Sequence, residues 1–390
     1  MAPAHLISAV LGWLLVAMAA LGSLYTLAAA MVASRFLAGN APPAPCAEAV
    51  TLLKPLHGAE PRLFENLSSF LAVDHDGPIQ LLLGLGGADD PALAAVERLR
   101  AAYPSARIDV VMDATPHGAN GKIANLINMA PHAAHPLLVL SDSDIAAEPD
   151  YLARVLAALD GPGVGGVTCA YRGRGDAGFW SRLGAAGLDW QLLPGVLFGT
   201  RMGLATPCMG STIALRAETL AAIGGFAAFA DVLADDYAIG AAIRARGLKM
   251  VVPPMLVAHG CDDASFTALW QHELRWGATI RGVAPLGYIG QVLAMPLPLA
   301  LLAAPLAPSA AALAVLGALA ARLVLAATIG RIARSNPLPL WWLPLRDLLT
   351  FASFVASFFT RSVAWRDSGL VLQRDGLIAA RSLSRPENSR

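Results

Sequence analysis

From Leu6 to Ser34 the chain carries no charged residue, and Arg35 ends the run. That is more than the roughly 20 residues a helix needs to cross hydrocarbon. The opening Met-Ala-Pro-Ala-His lacks a basic cluster, and the run outlasts the ~7–15-residue core of a cleavable leader, so it predicts an uncleaved anchor. Two more apolar runs, Val283–Leu306 and Ser309–Gly330, meet at a proline-containing turn and predict a helical hairpin. A third, Leu340–Phe359, opens with Trp341 and Trp342, residues that favour the headgroup zone, and is interrupted by Arg346 and Asp347. Spanning, re-entering and lying flat all fit it. Arg322 inside the second run is costly at membrane depth, which marks either a functional site or, as expected here, a side chain that snorkels to the nearby face.

Between these runs the pattern changes to short apolar segments bounded by turn residues. After a proline-rich linker at Pro42–Pro45, the segments Val50–Leu56, Ile79–Leu85, Ile108–Met112 and Pro136–Leu140 read as buried strands. Pro91–Ala102 and Lys122–Met129 carry helical periodicity between them, and Asp90 with Pro91 supplies a preferred N-cap and N1. Alternation of this kind predicts an α/β unit, a mostly parallel sheet with helices on both faces and ligands at the carboxyl ends of its strands.

Composition agrees with a membrane-bound unit. The 390 residues are 56% hydrophobic and 14% charged, with mean hydropathy +0.56, against about 25% charged in ordinary soluble domains. Basic residues follow the first run at Arg35 and sit at Arg331 and Arg334, which by the positive-inside tendency puts the central unit in the cytosol and the N-terminus outside. The 28 basic and 28 acidic residues cancel, so nucleic acid is not expected as a partner. Cys46, Cys169, Cys208 and Cys261 are scattered, without a CxxC pair, which suits a reducing compartment.

Several polar clusters fall at strand and helix ends. Asp142 and Asp144 follow the fourth strand, where alternate residues point the same way and two carboxylates can converge on Mg²⁺ or Mn²⁺; a loop capping the helix that begins near Pro149 is the plainer reading. Asp89 and Asp90 end Gly86-Gly87-Ala88-Asp89-Asp90-Pro91, either a ligand edge or a helix cap. Gly118-Ala119-Asn120-Gly121-Lys122 opens a helix whose N–H groups and lysine suit a diphosphate, or is a turn. Ala234-Asp235-Asp236-Tyr237 starts another helix, where a carboxylate suits a general base or the helix dipole. His272-Glu273-Leu274-Arg275-Trp276 lies just before the hairpin, where Arg275 suits a diphosphate and Trp276 a sugar face or the membrane surface. Phe179–Phe198 is unusually apolar, as a lipid entry wall or ordinary core, and Cys208-Met209-Gly210-Ser211 borders an acceptor pocket or forms a packed turn.

In this order the motifs resemble the family 2- and 21-type glycosyltransferases, and within them the ceramide glucosyltransferase-like branch with its D, D, D, (Q/R)xxRW pattern. The resemblance implies a Rossmann-like GT-A catalytic domain and an inverting transfer from a UDP-sugar to a membrane lipid. It implies that Asp90 contacts the nucleoside, that Asp142 with Asp144 holds metal and diphosphate, that Asp236 is the general base, and that Arg275 and Trp276 form the RW end. His272 stands where Gln or Arg is usual, which leaves that diphosphate or acceptor corner open, with Cys208 as a further candidate. The His-Glu-Leu-Arg-Trp variant and the following Thr279-Ile280-Arg281 are similar to hopanoid-biosynthesis-associated members, implying UDP-N-acetylglucosamine and a hopanoid polyol in a bacterial inner membrane. Ceramide with UDP-glucose is the alternative. A processive polysaccharide synthase would need more spans, and a transporter or scaffold would not need three aspartate motifs. The expected organisation is an anchor over 1–35, a catalytic domain over 46–264, an interfacial RW helix over 265–282, a membrane region over 283–362 and a cytosolic or interfacial tail over 363–390.

Overall fold

The computed structural model describes residues 3–38, 43–44, 46–360, 362–365, 368–372 and 378–380. Part of the Pro42–Pro45 linker and most of the tail lie outside the described residues. The strands are β1 (Val50–Pro55), β2 (Ile79–Leu85), β3 (Arg107–Met112), β4 (Leu137–Leu140), β5 (Ile145–Ala146), β6 (Val164–Val167), β7 (Ala170–Gly175), β8 (Ile213–Arg216), β9 (Lys249–Val251) and β10 (Leu256–Cys261). Around them pack α1 (Pro3–Leu37), α2 (Leu63–Leu71), α3 (Leu93–Ala102), α4 (Gly121–Met129), α5 (Tyr151–Leu159), α6 (Phe179–Gly187), α7 (Leu193–Arg201), α8 (Ala217–Ala222) and α9 (Asp235–Ala245). The chain continues through α10 (Phe266–Val283), α11 (Pro285–Gly290), α12 (Pro296–Ala303), α13 (Pro308–Ile332) and α14 (Leu343–Ser357).

The main sheet runs β3-β2-β1-β4-β8-β6-β9, parallel from β3 through β4 and antiparallel on either side of β8. A small sheet, β5-β10-β7, stands beside it. Because successive strand residues face opposite ways, Leu52, Leu81, Leu83 and Val139 pack under α2, α3 and α5 on one face. Leu53, Leu82, Leu138 and Leu140 join Ile123, Leu126 and Ile239 of α4 and α9 on the other. The four apolar runs are therefore the edge strand β3 and three inner strands with both faces covered, as the α/β expectation required, and parallel pairing brings the ends of β1, β2 and β4 to one edge.

Among the described residues two helices, His5–Leu37 and Pro308–Ile332, are long and apolar enough to cross a membrane. The first of the two hairpin runs differs from expectation. It is α11, a 3₁₀ turn at Gln291–Ala294 and α12, bent by 69° at the break. Pro296 lacks an N–H and disfavours helix at the residue before it. α1 lies along α12 and α13, with Ala19 against Leu299 and Ala300, and Ala29, Ala30 and Ala33 against Leu325 and Ile329. Small residues let such helices approach closely.

Arg322 does not snorkel. Its side chain is 2% exposed and donates to both oxygens of Asp347 on α14, at 2.8 and 2.6 Å, and to the Trp190 carbonyl at 2.7 Å. The charges that interrupt the third apolar run are thus turned inward, Asp347 onto Arg322 and Arg346 onto Glu273 of α10. At 15 residues, α14 is about 22 Å long, too short to cross hydrocarbon alone. The N-cap reading also shifts: α3 begins at Leu93 behind Ala92, and Asp90 makes a turn ahead of the helix.

Candidate active site

β4 delivers the chain into Ser141-Asp142-Ser143-Asp144 with its alternation intact: Ser141 and Ser143 are buried while Asp142 and Asp144 reach the surface of the cleft. Four elements pin the motif's backbone. Ser141 N donates to Leu53 O, Asp142 N to Gly210 O, Asn66 Nδ2 to Ser143 O and Gly260 N to Asp144 O, all within 2.9–3.1 Å. From below, Lys54 of β1 donates to Ser141 Oγ and Asp142 O, at 2.9 Å each, with its ammonium 3.4 Å above the Phe70 ring. Burial lowers its pKa to about 7 against the pull of Asp142 and Asp144.

α4 and α9 bring the next groups. Asn120 caps α4 by accepting from Ile123 N, which places Lys122 in its first turn. Lys122 Nζ lies 2.6 Å from Asp142 Oδ1 and 3.4 Å from Asp235 Oδ2. Burial opposes that charge, but Asp142, Asp235 and Asp236 prevail and raise its pKa, so the lysine stays cationic. Asp236, in the first turn of α9, accepts from Gly210 N at 3.0 Å and Tyr237 N at 2.7 Å. Burial, reinforced by neighbouring Asp235, pushes its carboxyl up to about 6. At Gly210 a Cβ would come 2.5 Å from Asp142 Oδ2 and 3.1 Å from Lys122 Nζ, so a larger residue there would push that ion pair aside. Gly224 and Gly225, both with positive φ, turn the chain before the segment that leads to α9.

Asp142, Asp144, Lys122 and Asp236 thus form one cluster. Asp90 stands at the same sheet edge, where Oδ1 accepts from Gly58 N and Ala92 N, at 2.9 Å each, and ties the ends of β1 and β2 together. Cys208 does not reach the His272 corner; its thiol is 5% exposed in the apolar core, packed on Gly240 of α9. His272 holds Asp263 at 3.3 Å and meets Trp276 edge-on at 4.9 Å, with the half-buried Arg275 in the same stretch of α10.

One residue escaped the sequence reading. His259 of β10 places Nε2 3.5 Å from Asp144 Oδ2, stacks on Tyr171 at 5.1 Å and meets Trp276 edge-on at 6.2 Å. It links the cleft to α10. The available signal was its place on a short apolar segment just before the RW helix. For a hard cation, Asp142 and Asp144 are the right donors, and Asp144 Oδ1 is buried without a hydrogen-bond partner, an orphan such an ion would satisfy. Among the described residues no three acidic, histidine or cysteine side chains are yet gathered to ligand spacing. Burial, and Asp142 close by, raise the Asp144 pKa while His259 opposes them.

On the other side of Trp276 lies a cavity of about 560 Å³, bordered by α6, α7, α10, α11 and α14. Leu188, Leu192, Val196 and Phe198 form one wall of it, so the second half of the apolar Phe179–Phe198 segment lines this space, while Trp190 is core. A π-helical turn, Leu188–Leu192, carries the chain between α6 and α7.

Among known proteins, the chain is 27% identical over 241 residues to ceramide glucosyltransferase 3 of Caenorhabditis elegans, covering 58% of this chain and 49% of that one. It is 25% identical over 235 residues to ceramide glucosyltransferase 1 of the same organism, covering 60% and 50%. The chain therefore spans about half the length of the curated relatives it matches. A solved structure of the mannosyltransferase PcManGT from Pyrobaculum calidifontis, in complex with GDP-Man and Mn²⁺, is 23% identical with a TM-score of 0.49, covering 90% of this chain and 99% of that one. The profile of glycosyl transferase family 21 matches residues 14–378, nearly the whole chain, and the chain belongs to that family.

Proposed function

We propose that this protein transfers a sugar from a UDP-sugar to a hydroxyl of a membrane lipid, with inversion at the anomeric carbon. The observation that carries the reading is continuity: the carboxylate cluster at the sheet edge passes through His259 and Trp276 to an apolar cavity that reaches Tyr25 of the long apolar α1 and the bent apolar pair begun by α11. A donor on one side and a lipid on the other meet at that wall.

In this reading Asp90 faces the nucleoside, and Asp142 and Asp144 hold Mg²⁺ or Mn²⁺ with His259 alongside. Such an ion supplies charge neutralisation for the leaving diphosphate. Lys122 adds a fixed positive charge at the same place, and Arg275 approaches from α10. Asp236 takes the proton from the acceptor hydroxyl as the hydroxyl oxygen attacks the anomeric carbon; UDP leaves with the electrons of the broken bond. Two backbone N–H bonds hold that carboxylate in orientation, and a pKa near 6 leaves it ionised at neutral pH while basic enough to accept a proton. The catalytic domain then faces the cytosol, where nucleotide sugars are made, and the RW helix lies at the membrane surface.

For the finer assignment, the His-Glu-Leu-Arg-Trp variant supports UDP-N-acetylglucosamine and a hopanoid polyol in a bacterial inner membrane. The two ceramide glucosyltransferase relatives support UDP-glucose and ceramide as the second reading. Membranes containing the protein, incubated with labelled UDP-sugars and each lipid, separate the two by mass spectrometry of the lipid extract. A metal-dependent glycolipid is expected. Its absence with every UDP-sugar removes the transferase reading, and a ceramide product removes only the hopanoid one.

A further inference from the structure

We infer that the cavity carries a second recognition point, distinct from the hydroxyl that is glycosylated: Arg346 and Glu273 bind hydroxyl or amide oxygens of a neutral, multiply oxygenated lipid headgroup. The inference rests on the lipid-acceptor reading above and names the class of acceptor.

Arg346 projects from α14 with a side chain 6% exposed, and one end nitrogen pairs with Glu273 Oε1. Its other two nitrogens, Nε and Nη1, are buried and have no hydrogen-bond partner. Buried donors of this kind are rare, and each costs stability while it stays unpaired. The guanidinium is also fixed in place. It lies against the backbone of α6 at Gly187, where a Cβ would come 2.7 Å from Nε, so only glycine leaves room for it. Glu273 is held from the other side, its second oxygen accepting from Ser353 Oγ at 2.8 Å. Both residues border the cavity. This is a held pair with two unmet donors at the border of an apolar space, the kind of placement by which a mainly apolar pocket fixes one polar part of a ligand.

Charge selects the ligand. Among the described residues the cavity lining holds one cation, Arg346, against the carboxylates of Asp263 and Glu273, with His272 on Asp263. Arg346 is already neutralised by Glu273, so a phosphate or carboxylate headgroup would enter an excess of negative charge. Hydroxyl and amide oxygens accept from Nε and Nη1 without that penalty, and a hydroxyl can donate onward to Glu273. Arg346 reaches the site from α14 and Glu273 from α10, and one turn further along α10 Trp276 meets His259, which leads to Asp144. A headgroup served by both needs more than one oxygen function.

Binding is measured on the full chain in detergent micelles without any sugar donor, by titrating tryptophan fluorescence with four lipids. These are a short-chain ceramide, an alkyl polyol, an alkanol of matched length and a phosphatidic acid of matched length. At least one of the two neutral, multiply oxygenated lipids is expected to bind about tenfold more tightly than the alkanol, the size of a pair of hydrogen bonds. Arg346→Lys keeps a cation for Glu273 but lacks the spare donors, and Gly187→Ala displaces the guanidinium without changing its chemistry. Each should remove most of that tenfold advantage and leave alkanol affinity within about twofold. The inference fails if the alkanol binds wild type as well as the neutral lipids do, if phosphatidic acid binds tightest, if either folded variant keeps the advantage, or if alkanol binding falls equally. The wild-type comparison decides even if a variant does not fold. Because no donor is present, a protein that binds but transfers nothing loses the transferase reading and keeps this site, whereas transfer without the selectivity does the reverse.

Discussion

At the sheet edge, Asp142 and Asp236 are tied to partners and an orphaned oxygen, Asp144 Oδ1, is an acceptor; in the cavity the orphans are donors, Nε and Nη1 of Arg346. Asp142 meets Lys122, and Asp236 meets two backbone N–H groups. The first region is ordered for chemistry, with charge and orientation preset before any substrate arrives. The second is ordered for selection, rigid but incomplete until a ligand supplies the missing acceptors. A preset carboxylate should be intolerant of any change in its proton affinity, while an incomplete site should tolerate change until the ligand is present.

The largest effect that would test the contrast is Asp236→Asn. The amide keeps the shape but cannot take a proton, so transfer should fall by about 10²–10⁴-fold with folding unchanged. Single-turnover assay alongside thermal unfolding checks both halves. Retention of more than a tenth of the rate would remove Asp236 as the base. Next in size is the buried pair behind the cavity. Arg322→Met leaves Asp347 buried without its cation, and such breaks cost about 3–5 kcal/mol. Arg322→Met with Asp347→Leu should recover most of the loss, and unfolding of the purified protein measures it. If the single variant is as stable as wild type, the pair is not the clasp between α13 and α14 that its geometry indicates.

The two regions also differ in how far they could be read from residue order. β1, β2 and β4 are mainly apolar runs closed by turn residues, and β2 and β4 put Asp90 and Asp142 a few residues past a recognisable end, while Lys122 opens a periodic helix. β6 is Val164-Gly165-Gly166-Val167 and β7 is Ala-Tyr-Arg-Gly-Arg-Gly, which have neither run nor alternation. They form because the sheet beside them is already there, a tertiary effect that local pattern cannot show. His259 sits on the short apolar β10, whose place beside Asp144 only the pairing with β5 and β7 reveals. Arg346, Asp347 and Arg322 were visible as charges in apolar runs, but only the folded packing pairs them with Glu273 and with each other. Without those partners, a snorkelling arginine and an interrupted span were the natural readings.

A smaller effect comes from pH. The Asp236 carboxyl is raised to about 6 by burial and by Asp235, and the base must be ionised. Activity should be full above pH 7 and fall about tenfold per unit once pH drops well below 6. Lipid binding at Arg346 and Glu273 measured over the same range should not follow that curve. A shared midpoint would mean that one titration controls both regions and that they are not separate. For the folded state the sign is the opposite: a carboxyl raised on folding gives up stability as pH climbs from the ordinary aspartate value through 6.

The smallest change falls on the element common to both regions. α10 carries Glu273 into the cavity and Trp276 against His259, and its start is fixed by Ser265, whose Oγ accepts from Ala268 N at 3.1 Å. Ser265→Ala removes that cap, at a cost of about 0.5–2 kcal/mol. The cap lies two turns from His272 and further from Glu273, so the loss should fray the first turn of α10 and leave the ion pair with Arg346 in place. Thermal stability should fall slightly, with lipid selectivity unchanged and the rate reduced less than about threefold, within one kcal/mol of barrier. Selectivity lost together with stability would mean that the cavity depends on the whole helix rather than on the Arg346 side of it.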